Sequence, residues 1–220
     1  LSASGTASNS TFLRGDNSWA AAGGGIGEFD GDSIAISSDD TALANNNGST
    51  NRNIGMGYYS GNAVTTGIKN TFIGSQAGFK TTTGNYNVAI GSNALDENLI
   101  GVANVGIGFQ AISNATSDDN IGIGRYAGRN HLTGGNTIAI GEDALKGTYS
   151  AFTGAHNIGI GYQTGYVITT GTYNVLAGYH AGYALTTGST NILLGSNAGI
   201  ALTTGSSNIS IGDEANQRST

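Results

Sequence analysis

Hydrophobic and polar residues alternate in a short phrase that recurs along most of the chain. The phrase reads Asn, apolar, variable, apolar, Gly, two variable residues and a small residue, as in NIGIGYQT from Asn157 to Thr164. Alternation with a period of two predicts a β-strand that ends at the glycine. The ten phrase glycines lie mostly 17 residues apart, at Gly57, Gly74, Gly91, Gly108, Gly124, Gly141, Gly161, Gly178, Gly195 and Gly212.

A second glycine signal closes each repeat, three residues ahead of the next phrase. It is often preceded by two threonines, as at Thr82 to Gly84 and Thr186 to Gly188. Each unit is therefore predicted to be a strand, a turn, a short strand and a turn. A unit of 17 residues is too short for a strand with a crossover helix, so neighbouring coils must stack to bury their apolar faces. The pattern predicts an all-β fold, a parallel β-solenoid of about ten 17-residue coils.

The repeated positions acquire expected roles in such a coil. The two apolar residues of the phrase, such as Ile158 and Ile160, are expected to face the interior. The phrase glycine is expected to allow a turn that a Cβ atom would obstruct, and the small residue to fit where opposite walls approach. The Asn that opens nine of the ten phrases is expected to form an amide ladder along the axis.

The variable residue between the two apolar ones is itself often apolar, as at Phe72, Leu176 and Leu193. These side chains are expected to face outwards from a single roll. A second apolar face requires a partner, and three chains closed around an axis are the natural solution for a fibre. The sequence thus predicts a homotrimer.

The composition narrows the function classes. There are 38 glycines, no proline and no cysteine, and only 10% of residues are charged, which excludes a collagen, a proline-rich linker and a thiolate metal site. The net charge of −6, with eight scattered Lys and Arg residues, argues against a nucleic-acid partner. No apolar run approaches the roughly 20 residues needed to cross a bilayer, so membrane insertion is not expected. No cofactor is expected.

The repeated phrase resembles the head repeat of trimeric autotransporter adhesins, matched by NVAIG at Asn87 to Gly91 and NTIAIG at Asn136 to Gly141. The resemblance implies a left-handed parallel β-roll that assembles as a trimer. Near the start, SGTASNSTFLRGDNSWA from Ser4 to Ala20 resembles a segment of phage tail fibre proteins. Together the two resemblances favour a phage tail fibre over a bacterial adhesin.

A fibre of that kind implies an extracellular location on the virion and contact with other fibre or tail proteins. It also implies attachment to a bacterial surface glycan or protein. The expected organisation is a fibre-like segment with a glycine-rich connector at residues 1–30, an atypical capping region at 31–52, and the β-roll repeat array at 53–220.

Aromatic residues are the candidates for receptor contact. Tyr162 and Tyr179 occupy one repeat position in consecutive coils, and Tyr166 and Tyr183 occupy another, which predicts two short ladders. Such ladders either stack on sugar rings or stiffen the solenoid and fill subunit interfaces. One coil carries three extra residues, which predicts an outward bulge from Gly147 to Phe152. The candidate receptor-binding residues are Tyr149, Phe152, Tyr162, Tyr166, Tyr179 and Tyr183.

Other functions remain open at this point. No nucleophile elbow or carboxylate pair stands out from the repeat, so the chain is expected not to be an enzyme. A polysaccharide depolymerase would need carboxylates that converge from distant coils or chains. The paired threonines suggest an ice-binding solenoid, and a bacterial trimeric adhesin head is a further alternative. His131, His156 and His180 lack metal-ligand spacing within one chain, although a threefold axis would bring three copies of one His together.

Overall fold

The computed structural model describes residues 11–13, 19–21, 28–30, 33–36, 42–45, 51–130, 133–148 and 152–216. Within these residues the chain forms fourteen β-strands, and they contain no helix of the length and hydropathy that a membrane span requires. The strands are β1 Thr11–Leu13, β2 Trp19–Ala21, β3 Glu28–Asp30, β4 Ser33–Ile36, β5 Ile54–Met56, β6 Thr71–Ile73, β7 Val88–Ile90, β8 Val105–Ile107, β9 Ile121–Ile123, β10 Ile138–Ile140, β11 Ile158–Ile160, β12 Val175–Ala177, β13 Ile192–Leu194 and β14 Ile209–Ile211.

Strands β4 to β14 stack in sequence order as one parallel sheet, which confirms the predicted β-solenoid. The register keeps each repeat position above its equivalent, as where Ile158 pairs with Val175. The Ile158 amide donates to the Asn174 carbonyl of the next coil at 2.8 Å. The parallel stack already includes β4, because Ile34 pairs with Ile54. Strand β3 pairs antiparallel with β4, and β1 and β2 form a separate antiparallel pair.

The second short strand predicted for each coil is absent from the described coils. From β5 onward each coil has one strand of three residues, and turns and bends make up the rest. Backbone hydrogen bonds still join these parts: the amides of Thr65 and Gly67 donate to the same Thr82 carbonyl, at 3.0 and 3.2 Å. These bonds link the bends of neighbouring coils without forming a second strand.

The Asn column forms the predicted amide ladder. The side-chain amide of Asn174 donates to the side-chain oxygen of Asn157 at 3.0 Å and to the Gly188 carbonyl at 2.9 Å. The Asn174 backbone amide donates to that same Asn157 oxygen, at 3.0 Å. The side chains are fully buried, so these bonds satisfy polar groups that would otherwise be costly. The exception is Thr137, whose buried hydroxyl has no hydrogen-bond partner.

The prediction of which strand face points into the coil was wrong. The two faces are exchanged. The middle residue of each strand is buried, as Phe72, Leu176 and Leu193 are, while the flanking residues such as Ile158 and Ile160 are partly or well exposed. The cause is the strand period of two. An Asn that is buried immediately before the strand sends the next residue outwards and the middle residue inwards.

Two reciprocal sets of side chains lie in the interior of the coil, beside the buried small residues and a further buried column that includes Val64, Ile168, Leu185 and Leu202. The centre column holds the middle residue of each strand: Gly55, Phe72, Ala89, Gly106, Gly122, Ala139, Gly159, Leu176, Leu193 and Ser210. The elbow column holds the residue four places after each phrase glycine, preceded by Leu43: Gly61, Gly78, Leu95, Ile112, Gly128, Leu145, Gly165, Gly182, Gly199 and Asn216. All elbow residues have positive φ, including the leucines and the isoleucine.

The sizes of the two columns are reciprocal. The centre residue is Gly wherever the elbow of the preceding coil is Leu or Ile, as for Gly159 after Leu145. It is Phe or Leu where the elbows of its own and the preceding coil are both Gly, as for Leu176 between Gly165 and Gly182. A Cβ on Gly159 would lie 2.5 Å from Leu145 Cγ. The large side chain that fills the space between the two columns therefore comes either from the centre column or from the elbow column, and not from both.

Candidate functional site

Three side chains per coil line the corner where the chain turns away from the strand. They stand one, two and five residues after the phrase glycine. In other coils this corner holds mainly serine, asparagine and glutamine with scattered aromatic residues such as Tyr58, Tyr59 and Phe109, whereas four consecutive coils concentrate aromatic and charged residues there. We call these twelve residues the corner surface: Arg125, Tyr126, Arg129, Glu142, Asp143, Lys146, Tyr162, Gln163, Tyr166, Tyr179, His180 and Tyr183.

The two predicted tyrosine ladders are present at one end of the corner surface. The rings of Tyr162 and Tyr179 stack with centroids 5.5 Å apart and planes 11° apart. Those of Tyr166 and Tyr183 stack at 5.2 Å and 2°. The two rings in each ladder cover one face of one another, so between coils the ladders offer ring edges and phenol groups. Hydrogen bonding at these edges is thus more accessible to a ligand than stacking on the covered faces.

His180 lies between the two ladders and joins them. Its ring centroid is 3.9 Å from that of Tyr179 and 5.1 Å from that of Tyr183. Its Nε2 atom is 3.0 Å from the side-chain oxygen of Gln163. Partial burial lowers the pKa of His180 below its ordinary value, so the ring is neutral at neutral pH. From the sequence, His180 was expected at most to be a metal ligand, although its place between the two tyrosine positions was a signal for this role.

The other end of the corner surface is basic and was not predicted. Tyr126 has three cationic groups about 5 Å from its ring centroid: Arg125 at 5.1 Å, Arg129 at 4.9 Å and Lys146 at 5.0 Å. Lys146 also lies 5.0 Å from the Tyr166 ring, which connects the basic end to the ladders. Cations at this distance from an aromatic face are attracted by its quadrupole.

Two carboxylates accompany these cations. Asp143 pairs with Lys146 at 2.9 Å, and Glu142 pairs with Arg125. Partial burial acts to lower the pKa of Lys146, but hydrogen bonds with Asp143 and Tyr166 outweigh it and raise the pKa above the ordinary value. Lys146 is therefore charged at neutral pH.

The predicted bulge does not place Phe152 at the surface. Phe152 is fully buried in the same core cluster as Leu145 and Ile168, so its assignment as a receptor contact was wrong. It fills the interior site that Ile168 fills in the next coil, which is why it faces inwards. Gly147 is also buried, and a Cβ there would lie 2.7 Å from Phe152 Cβ. Tyr149 lies outside the described residues.

The remaining motifs lie elsewhere. Tyr173 stacks on His156 at 4.8 Å just before the strand. The first threonine of a pair uses its hydroxyl within the solenoid, as where Thr82 donates to the Leu99 carbonyl at 3.0 Å, and only the second, such as Thr83, is well exposed. In the described part of the chain, no three His, Asp or Glu residues form a group that could hold a metal ion.

The exposed side of the strands forms an uncharged strip of two columns, here called the outer strip. Nearly all its members are aliphatic, and Ile160 is 44% exposed. The first column holds Ile54, Thr71, Val88, Val105, Ile121, Ile138, Ile158, Val175, Ile192 and Ile209, and the second holds Met56, Ile73, Ile90, Ile107, Ile123, Ile140, Ile160, Ala177, Leu194 and Ile211.

Comparison with known proteins identifies no relative of this chain. No protein-family model, curated protein or solved structure matches the chain. The corner surface and the outer strip are therefore the features that bear on function.

Proposed function

We propose that this chain forms a trimeric, non-catalytic rod of a phage tail fibre, whose corner surface contacts a glycan or protein on the bacterial surface. The observation that carries the proposal is the corner surface itself. Across four coils it gathers five tyrosines, one histidine and three cations on a scaffold whose regular hydrogen bonding holds them in place. Aromatic and arginine side chains are the residues most enriched at recognition surfaces.

The outer strip supports the trimeric part of the proposal. At about 4.8 Å per coil and about 10 Å of width, ten coils make an uncharged strip of roughly 500 Å². That is within the range of about 300–600 Å² for the largest apolar patch on a typical soluble monomer, and such a patch is often functional. Three copies closed around one axis cover the strip on every chain and leave no open end for further growth. The resemblance to adhesin heads adds left-handed winding to the proposal.

A charge placed in the outer strip tests the assembly. Ile158→Lys puts an ammonium group at the middle of the strip, where burial against a neighbour would desolvate it at a cost of several kcal/mol. We expect the wild-type chain to sediment as a trimer and the variant as a monomer that keeps its β circular dichroism. Lys80→Gln, at an exposed ion pair away from the strip, is the control. A wild-type chain that sediments as a monomer at micromolar concentration contradicts the trimer.

Multivalency is the proposed mechanism of attachment. Three copies on one rod let weak contacts add through effective concentration, without any single tight site. Fluorescently labelled rod should adsorb to host cells, and Tyr179→Ala combined with Tyr183→Ala should reduce adsorption at least tenfold at unchanged thermal stability. Tyr86→Ala removes an exposed ring outside the corner surface and should leave adsorption unchanged.

Two outcomes would assign the chain to another class. Equal adsorption of the wild type and the double tyrosine variant would show that this region serves as a spacer and does not bind the host through the corner surface. Release of reducing ends from host polysaccharide would show a depolymerase.

A further inference from the structure

The basic end of the corner surface concentrates positive charge in an acidic chain. The whole sequence has eight Lys and Arg residues and a net charge of −6, yet three of the eight surround the single ring of Tyr126. With Glu142 and Asp143 the local balance is three cations against two carboxylates. A rod that needed charge only for solubility has no physical reason to group its cations around one ring.

The three cations are also partly organised before any ligand binds. Lys146 lies between the rings of Tyr126 and Tyr166, about 5.0 Å from each, and its side chain is only 18% exposed. Arg129 lies against the same Tyr126 ring and is half-buried. Ordering long side chains is a major cost of binding, so restraint of this kind favours a ligand that meets them.

The existing ion pairs leave room for an external anion. The side chains of Arg125 and Glu142 are 54% and 37% exposed, and exposed pairs of this kind contribute about 0–1 kcal/mol. Replacing Glu142 by a ligand carboxylate or phosphate on the Arg125 guanidinium therefore costs little. Guanidinium groups bind both of these anions through two parallel hydrogen bonds.

The tyrosine ladders extend this basic end along the rod axis. Their edges carry phenol groups, and Gln163 and His180 lie between the two ladders. Such a row of hydrogen-bonding groups suits a chain of hydroxyl-bearing sugars better than an apolar peptide. Resting on the proposed attachment function, we infer that the corner surface binds an acidic polysaccharide, with its carboxylate or phosphate groups at Arg125, Arg129 and Lys146 and its sugar hydroxyls along the tyrosine edges.

Matched polymers test the inference directly. The intact rod is passed over surfaces of neutral dextran, carboxymethyl dextran and dextran phosphate, which share one backbone and differ in their charged groups. We expect binding to one or both charged polymers and none to neutral dextran, and the preferred polymer identifies carboxylate or phosphate as the source. The affinity should fall at least tenfold between 50 mM and 500 mM salt, as exposed charge interactions are screened.

Variants locate the binding. Arg129→Gln with Lys146→Gln should weaken binding to the preferred polymer at least tenfold, and Arg129→Lys, which keeps the charge, should weaken it less. Lys80→Gln removes one cation elsewhere and should change nothing. Circular dichroism melts of each variant establish that the rod is folded.

Several results would overturn the inference: binding to no charged polymer, equal binding to neutral dextran, or an equal loss with Lys80→Gln, which would indicate general attraction. Host adsorption that is abolished by protease treatment of the cells would assign the surface to a protein receptor instead. Host adsorption could be lost in the double tyrosine variant but kept in the Arg129 and Lys146 variant. That result would rule out the acidic ligand and leave the proposed function standing. Failure of the wild-type rod to adsorb to any host cell would sink the proposed function itself.

Discussion

Exchanging the sizes of one elbow residue and one centre residue should preserve the core. The pair is Leu145 and Gly159, which face one another in neighbouring coils. Leu145→Gly with Gly159→Leu recreates the arrangement that Gly165 and Leu176 adopt one coil later. The elbow of the coil that contains Gly159 is Gly165, so a leucine at the centre position meets no second large side chain.

The single substitutions should each be costly. Leu145 is fully buried, so removing its side chain costs about 2–5 kcal/mol. Its φ of 43° is strained for a leucine, and glycine recovers about 1–2 kcal/mol of that. The net loss for Leu145→Gly is then about 2 kcal/mol, within a range of roughly 0–4 kcal/mol. For Gly159→Leu, the new Cβ would lie 2.5 Å from Leu145 Cγ and 3.0 Å from both Cδ atoms, and overpacking this severe should exceed about 3 kcal/mol.

The double variant should unfold within about 1 kcal/mol of the wild type, since the interior is refilled and the strained φ is relieved. The four proteins are compared by urea unfolding at one fixed chain concentration, because assembly makes stability depend on concentration. The expected coupling energy is about 4 kcal/mol or more, beyond the usual range for residues in contact. Ile112→Gly with Gly159→Leu places the new glycine in a distant coil and should show no rescue. Additive losses in the Leu145 and Gly159 pair would refute reciprocal filling.

Three further predictions concern other columns. Thr137→Asn should raise the melting temperature by about 2–5 °C, because its amide can bond to Asn120 and restore the ladder where a buried hydroxyl is unpaired; a lower melting temperature would contradict the ladder's contribution. Burial raises the pKa of Asp96 to about 6 from 3.8, so the folded state binds this proton more tightly and wild-type stability falls as pH rises from about 3.8 to 6. Asp96→Asn should thus stabilise by about 1–2 kcal/mol at pH 8, after discounting for partial exposure, and by almost nothing at pH 3.5, as measured by urea unfolding; equal effects at both pH values would exclude the carboxylate as the cause. Gly178→Ala should lower the melting temperature far more than Gly128→Ala. A Cβ at Gly178 would lie 2.6 Å from the carbonyl carbon of Gly195, whereas a Cβ at Gly128 has nothing nearer than 3.7 Å. Similar melting temperatures would refute the close approach.

The solenoid and its ladders were predictable because the repeat places equivalent residues one above the other. Once neighbouring coils stack in register, Asn157 must lie next to Asn174, and Tyr162 next to Tyr179, whatever the shape of the coil. Contacts within one column thus follow from the period alone. Contacts between columns depend on how the coil closes, and here the predictions failed or were silent.

The corner surface illustrates this limit. The two tyrosine ladders were found as separate columns, but that His180 joins them became evident only from the turn after the phrase glycine. The same turn brings Lys146 against Tyr126 and Tyr166. Three extra residues were interpreted as an outward bulge that ends at Phe152, but Phe152 itself is buried in the core.

The sequence by itself determined the stacking of about ten coils, the period of 17 residues and the amide ladder, because each follows from the spacing of like residues. Only the tertiary structure decided which face of the strand is buried. Alternation divides a strand into two faces but does not say which one lies inside. The buried Asn before the strand decides it here, since its side-chain amide bonds to a carbonyl of the next coil and to the neighbouring Asn. That one constraint turns the aliphatic residues outwards as the outer strip and places the centre residues in the core, where they meet the elbow residues.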